Sequence, residues 1–170
     1  MKKTFLGLGS NVGDRENNIV HALHHLSKKL SIIDYSSLYD SAPIGYLNQD
    51  NFLNMVVEAD TELVTPYELL SLVKTIEQKM GRKQTFHWGP RIIDIDILYI
   101  EGLHIDTDEL TVPHRELWNR NFVLIPLSEL TEFLLIDNKK LLIKEMIHAD
   151  QTDQVSLHKQ KEEISYNVQS

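Results

Sequence analysis

The 170-residue chain contains no cysteine, so neither disulfides nor thiolate metal sites contribute, and nothing marks a secreted protein. Long apolar runs are missing too. No stretch approaches the roughly 20 residues needed to span a bilayer. The opening Met1-Lys2-Lys3-Thr4-Phe5 has the basic start of a signal peptide, but Gly7, Gly9, Ser10 and Asn11 interrupt any apolar core. A cytoplasmic location and no membrane partner are therefore expected. Basic residues are scarce: 17 Lys and Arg stand against 25 Asp and Glu, a formal net charge of -8. That balance counts against nucleic-acid binding, which needs a basic footprint. Two familiar phosphate devices are also absent. There is no G-x-x-x-x-G-K-[ST] loop, and the glycines from Gly7 to Gly13 place the last one a position late for a dinucleotide fingerprint.

What remains has the pattern of a folded domain, long enough to bury about 70% of its unfolded surface. Thr4 to Leu8 reads as a first strand. Asp14 offers an N-cap to a helix with Ile19, Leu23, Leu26 and Leu30 on one face. His21, His24 and His25 on that helix read as solvated surface. Strands are expected over residues 32–39 and 51–59, the second with Leu53, Met55, Val57 and Ala59 alternating. Thr65-Pro66-Tyr67-Glu68 is a capping box, and its helix stops at Gly81. Residues 92–100 read as a central strand. This β-α-β-β-α-β order predicts an α+β, ferredoxin-like fold with a largely antiparallel sheet. Short helical pieces are expected over 119–130, a turn at Asp137-Asn138, and a last helix over 141–148. We expect residues 1–148 to form a single catalytic domain and residues 149–170 a polar appendage, either helix or frayed tail.

Charge is unevenly placed. From Lys79 to Arg91 there are four cations (Lys79, Arg82, Lys83 and Arg91) and no Asp or Glu, a local attraction for a polyanion. The strand that follows carries Asp94 and Asp96, which period-2 geometry puts on one face, with Ile93, Ile95 and Ile97 on the other. Paired carboxylates repel each other and are tolerated where a cation sits between them. Hard oxygen ligands suit Mg²⁺ completed by phosphate oxygens. With Arg82 and Arg91 close by, these are the parts of phosphoryl-type transfer. A second constellation suits a flat heterocycle: Phe52 and Asn54 share a strand face, and Trp88 and Phe122 add aromatic surface. His114 after Pro113 is a general acid, a phosphate donor or simply exposed. On these residues alone, another metal-dependent nucleotide transferase or hydrolase and a ligand-sensing or RNA-binding module stay open.

Gly9-Ser10-Asn11, Phe52-Leu53-Asn54, Gly81-Arg82, Trp88-Gly89-Pro90-Arg91 with Asp94-Ile95-Asp96, and Val112-Pro113-His114 with Asn119-Arg120 together resemble the 6-hydroxymethyl-7,8-dihydropterin pyrophosphokinases of folate biosynthesis. The resemblance runs over roughly residues 4–130. It implies a three-layer α-β-α fold and transfer of the β,γ-pyrophosphoryl unit of ATP to the pterin hydroxymethyl oxygen, releasing AMP. It implies two Mg²⁺ ions at Asp94 and Asp96. Carried over by position, Ser41, Ala42, Pro43, Ile44, Phe52, Asn54, Trp88 and Phe122 are the expected pterin pocket. Glu77, Arg91, Ile97, Thr111, His114, Arg115 and Arg120 are the expected ATP contacts, with Arg82 and Arg91 beside the aspartates as catalytic residues. The resemblance further implies closure of loops 43–50 and 82–88, and a monomer or weak dimer is expected. Three positions depart from the family pattern: Gln84 stands where arginine is common, Glu109 where some members have arginine, and Ala42 replaces a frequent proline.

Overall fold

The structure, a computed structural model, describes residues 1–83 and 86–166, with 152 and 153 described by backbone alone. The first half runs β1 (Lys3–Ser10), α1 (Arg15–Ser27), β2 (Ser31–Tyr35), β3 (Leu38–Ser41), β4 (Phe52–Asp60), α2 (Pro66–Lys79) and β5 (Asp94–Ile100). The short β6 (Ile105–Asp106) and β7 (Thr111–Val112) follow as a separate antiparallel pair. Capping starts both helices. The Asp14 carboxylate accepts from Asn17 N at 3.0 Å. Thr65 Oγ1 accepts from Glu68 N at 3.3 Å while Glu68 Oε2 accepts from Thr65 N at 2.8 Å, so orphan first-turn donors are satisfied. Beyond α2, Gly81 takes φ 87°, a left-handed conformation that suits a residue without Cβ.

In the main sheet β3, β4, β1 and β5 lie side by side in that order, with β2 also paired to β4, and every one of these pairings is antiparallel. The expected α+β, ferredoxin-like topology is therefore present. The single strand expected over 32–39 is two strands, β2 and β3, broken at the buried Ser36-Ser37. There Ser36 Oγ accepts from Val56 N at 2.9 Å and donates to the Ser37 carbonyl at 2.8 Å, so a hydroxyl replaces the ladder.

Helices α1 and α2 cover one sheet face, burying Leu6, Leu8, Leu53, Met55, Val57, Ile93, Ile95 and Ile97. The other face receives α3 (Asn121–Leu130), which packs Val123, Leu124 and Leu127 against Phe5, Val56, Leu98 and Tyr99. A register shift opposite Phe5/Leu6 leaves Leu98 as an extra residue in β5. That bulge lets adjacent Leu98 and Tyr99 both serve the α3 layer, which strict alternation forbids.

Further expectations differ from the structure, and β5, expected as a central strand, lies at the edge of the main sheet. The helix expected over 141–148 is instead the end of a hairpin, β8 (Phe133–Ile136) and β9 (Lys139–Leu142), followed by a single turn, α4 (Ile143–Met146). The hairpin turns at Asp137 (φ 50°) and Asn138 (φ 60°), as a two-residue loop with left-handed residues requires. A short apolar run such as 141–143 has no period long enough to separate helix from strand. The expected helix or frayed tail from 149 also gives way to other structure: after a 3-10 turn, β10 (Val155–Lys159) adds an edge strand to β3. Edge pairing goes through backbone groups, so it needs little apolar pattern. Ile164 and Tyr166 are then buried, and the Tyr166 ring meets His24 at a tilt, 4.8 Å away, and Tyr35 edge to face at 5.5 Å. His24 is thus half-buried packing rather than solvated helix surface. Among the described residues no helix is long and apolar enough to cross a membrane.

Ile164→Ala is expected to lower unfolding free energy by about 2–4 kcal/mol, as for other buried aliphatic truncations. Urea denaturation measures this, and a loss within about 0.5 kcal/mol would mean the segment lies outside the cooperative unit.

Candidate active site

Helix α3 covers only part of its sheet face, and the uncovered part forms the floor of a cleft of about 1140 Å³. Three strands build that floor. Gly9 of β1 pairs with Asn54 on β4 and Asp94 on β5; two residues along, Gly7 pairs with Val56 and Asp96. The central strand therefore presents no side chain between the carboxamide row and the carboxylate row. With strands about 4.8 Å apart, a trough roughly 10 Å wide separates Asn54 from Asp94. The Gly7-Leu8-Gly9 segment, which fails as a dinucleotide loop, is strand here, and its glycines open this trough.

Asp94 and Asp96 both face the cleft, while Ile95 and Ile97 are buried beneath α1 and α2. Asp94 is fully engaged by arginines: Arg82 Nη1 lies 2.9 Å from Oδ1 and Arg91 Nη1 lies 3.1 Å from Oδ2. Arg82 also pairs with Glu77, whose Oε1 accepts from Ile95 N at 2.7 Å and so satisfies the outer edge of β5. Burial pushes the Glu77 carboxyl upward, opposed by that amide and by Arg82. Among the described residues Asp96 has only distant partners, His114 Nε2 at 3.9 Å and Arg120 Nη1 at 4.0 Å. Burial, then the neighbouring Asp94 charge, push its carboxyl upward against the pull of Arg120. A cation between the two carboxylates would relieve both effects. No group of three or more His, Asp or Glu gathers around a metal position among the described residues. Two carboxylates in an open cleft fit a hard cation that draws its other ligands from phosphate and water.

On the opposite wall, Asn54 is buried and its Nδ2 donates to Ser41 Oγ at 2.8 Å and Tyr39 O at 3.2 Å. Its Oδ1 is thereby turned toward the trough, 3.4 Å from where a Cβ on Gly9 would stand. Phe52, Phe122, Ser41, Ala42 and Ile44 also line the cleft, whereas Pro43 is buried and does not line it. Trp88 lies across Gly45, where a Cβ would fall 2.1 Å from its ring, so this position excludes any side chain. Tyr46 and Phe86 meet edge to face at 4.9 Å, bringing the loops before β4 and before β5 into contact.

The nucleotide-side expectations are brought together unevenly. Thr111, His114, Arg115 and Arg120 line the cleft. Glu116 N donates to His114 Nδ1 at 3.2 Å, which leaves Nε2–H of the neutral ring aimed toward Asp96. Burial, then Arg120, hold the His114 imidazole below its ordinary range. Arg115 is largely exposed and is held by Thr111 Oγ1 at 3.0 Å and Asp106 at 3.3 Å. Ile97 reaches the cleft from β5, but its side chain is packed in the core on the far face. Glu109 lines the cleft, and Ala42 N donates to the Gln154 carbonyl at 3.4 Å; Gln84 lies outside the described residues. Sequence reasoning missed Gly7 and Gly9, although small residues alternating on a central strand were a visible signal. It also missed Asp150, Gln151 and Gln154, which only the return of β10 to the sheet brings to the cleft.

The family model for 7,8-dihydro-6-hydroxymethylpterin-pyrophosphokinase (HPPK) matches residues 5–132. The 2-amino-4-hydroxy-6-hydroxymethyldihydropteridine pyrophosphokinase of Aquifex aeolicus is 48% identical over 130 residues, covering 76% of this chain and 81% of that one. The Bacillus subtilis protein of the same name is 43% identical over 130 residues, 75% of this chain and 77% of that one. The folic acid synthesis protein FOL1 of Dictyostelium discoideum is 46% identical over 126 residues, 74% of this chain, and this chain spans only 19% of it. Among solved structures, Plasmodium falciparum HPPK-DHPS with pterin and p-hydroxybenzoate superposes with TM-score 0.70 at 17% identity, over 92% of this chain and 46% of that one, which supports the fold. A family match across most of the chain, joined to relatives this similar, leads to one assignment: the chain belongs to the 7,8-dihydro-6-hydroxymethylpterin-pyrophosphokinase family.

Proposed function

We propose that the chain transfers the β,γ-pyrophosphoryl unit of ATP to the hydroxymethyl oxygen of 6-hydroxymethyl-7,8-dihydropterin, releasing AMP, in cytoplasmic folate biosynthesis. The observation that carries this reading is the glycine-floored trough, with a ring-binding wall at Phe52 and Asn54 facing a carboxylate wall at Asp94 and Asp96. The acceptor oxygen forms a bond to the β-phosphorus, and the bond from that phosphorus to the α,β-bridging oxygen breaks. AMP leaves with the bridging oxygen, and the hydroxyl proton passes to water. Asp94 and Asp96 would hold two Mg²⁺ ions, which supply charge neutralisation for the triphosphate when bound.

The remaining work falls to this chain's own groups. Asn54 Oδ1 accepts from the heterocycle edge while Phe52 and Phe122 hold its faces. Arg82 and Arg91, which pair with Asp94, would exchange that partner for phosphate oxygens. Each such charge-assisted contact contributes on the order of 1.5–3 kcal/mol. His114 Nε2–H and Arg120 are further donors on the nucleotide side. Trp88, which lies against Gly45 and lines the cleft, would help exclude water, whose attack on ATP is the competing reaction.

AMP and a diphosphorylated pterin are the expected products in an assay with ATP and the hydroxymethyl pterin; ADP or free pyrophosphate would point to a different transferase or hydrolase. Asp96→Ala is expected to lower kcat by roughly 10²–10³-fold, and near wild-type turnover at saturating Mg²⁺ would contradict the metal assignment. Arg82→Ala should lower kcat far more than it raises the Kd for ATP, whereas matched losses would indicate uniform binding instead. For Gly9→Ala the new methyl meets Asn54 Oδ1 at an ordinary 3.4 Å, so the fold should survive. That methyl fills the trough, so KM for the pterin should rise roughly tenfold or more while KM for ATP holds; steady-state kinetics separates the two.

A further inference from the structure

Asn11 stands where the chain leaves β1, and none of the roles above uses it. The residue is only 2% exposed, and both ends of its carboxamide are occupied by loop groups. Nδ2 donates to Gln49 Oε1 at 2.9 Å and to the Asp50 carbonyl at 3.0 Å. Oδ1 accepts from Arg91 N at 2.8 Å, and Asn11 N donates to the Arg91 carbonyl at 3.0 Å. Gln49 completes the circuit: its Nε2 donates to the carbonyls of Tyr46 and Trp88, each at 2.7 Å. One side chain with two donors and an acceptor thus ties three segments: the end of the central strand and the loops on either side of the cleft.

Each loop leads directly into one wall of the cleft. The loop of residues 42–51 runs into Phe52 and Asn54, while the segment ending at Arg91 delivers the guanidinium that reaches Asp94 Oδ2. Arg91 is held by Asn11 at both backbone polar groups, and its Nη2 donates to the His87 carbonyl at 2.7 Å. Asparagine suits this place on chemical grounds. Aspartate keeps the acceptor for Arg91 but loses the donor for Gln49 and Asp50; alanine loses both.

We propose that Asn11 is a positioning residue for pyrophosphoryl transfer: its carboxamide fixes the acceptor-side loop and Arg91 to each other and to β1, so both walls of the cleft are set together. This rests on the activity proposed above. Hydrogen exchange on the ligand-free protein tests the link directly. Asn11→Ala should speed exchange about fivefold or more in both 45–51 and 86–91, through loss of local protection. Asn11→Asp, isosteric and the variant to use if alanine does not fold, should speed 45–51 while leaving 89–91 better protected. In turnover, Asn11→Asp should lower kcat roughly tenfold with KM for ATP within about twofold, as misplacement of pre-set groups does. Unchanged exchange in 45–51 for Asn11→Asp, acceleration confined to one loop for a folded Asn11→Ala, or a kcat within about twofold of wild type overturns the proposal. If the wild-type protein forms no AMP from ATP and the pterin, the activity is refuted; the ligand-free exchange still decides whether Asn11 joins the loops.

Discussion

Two carboxylates on one face of β5, above a strand whose opposite face is core, form the interaction that the rest of the site answers to. Like charges held about two residues apart along a strand repel, and partial burial worsens the cost of ionising both. The chain meets this with cations drawn from outside the sheet. Arg82 and Arg91 take both oxygens of Asp94, while Asp96 makes long contacts to His114 and Arg120. Because the arginines arrive on loops, their placement depends on what holds those loops, and this gives backbone ties such as those of Asn11 a consequence for chemistry.

The cleft exists because one layer is incomplete. Helix α3 buries Phe5, Val56, Leu98 and Tyr99 but stops short of the other end of the sheet. There Gly7 and Gly9 leave the central strand bare between the Asn54 and Asp94 rows. The missing side chains cost strand stability, since glycine packs nothing and loses more backbone entropy. That cost is offset on the far face, where Leu6 and Leu8 of the same strand are fully buried. A single strand therefore serves core on one side and the floor of the cleft on the other.

Legibility in the sequence followed physical range. Elements with strong local signals were readable: the Asp14 cap, the Thr65–Glu68 box, the alternation in β4 and the turn at Asp137-Asn138. The Asp94/Asp96 pairing was readable because period-2 geometry within one strand needs no tertiary information. The break at Ser36-Ser37 was not, because it depends on hydroxyl contacts with Val56 on a neighbouring strand. Nor was β10, whose edge pairing uses backbone groups that every residue carries.

By itself, the sequence determined the α+β order, the position of the acidic pair and the acid-free basic stretch beside it. Local propensity, period and charge are properties of consecutive residues. Tertiary structure alone decided that Gly7 and Gly9 lie between Asn54 and the aspartates, that Arg82 bridges Glu77 and Asp94, and that Asn11 joins two loops. Those relations depend on sheet register and on contacts between residues tens of positions apart, which no local pattern encodes.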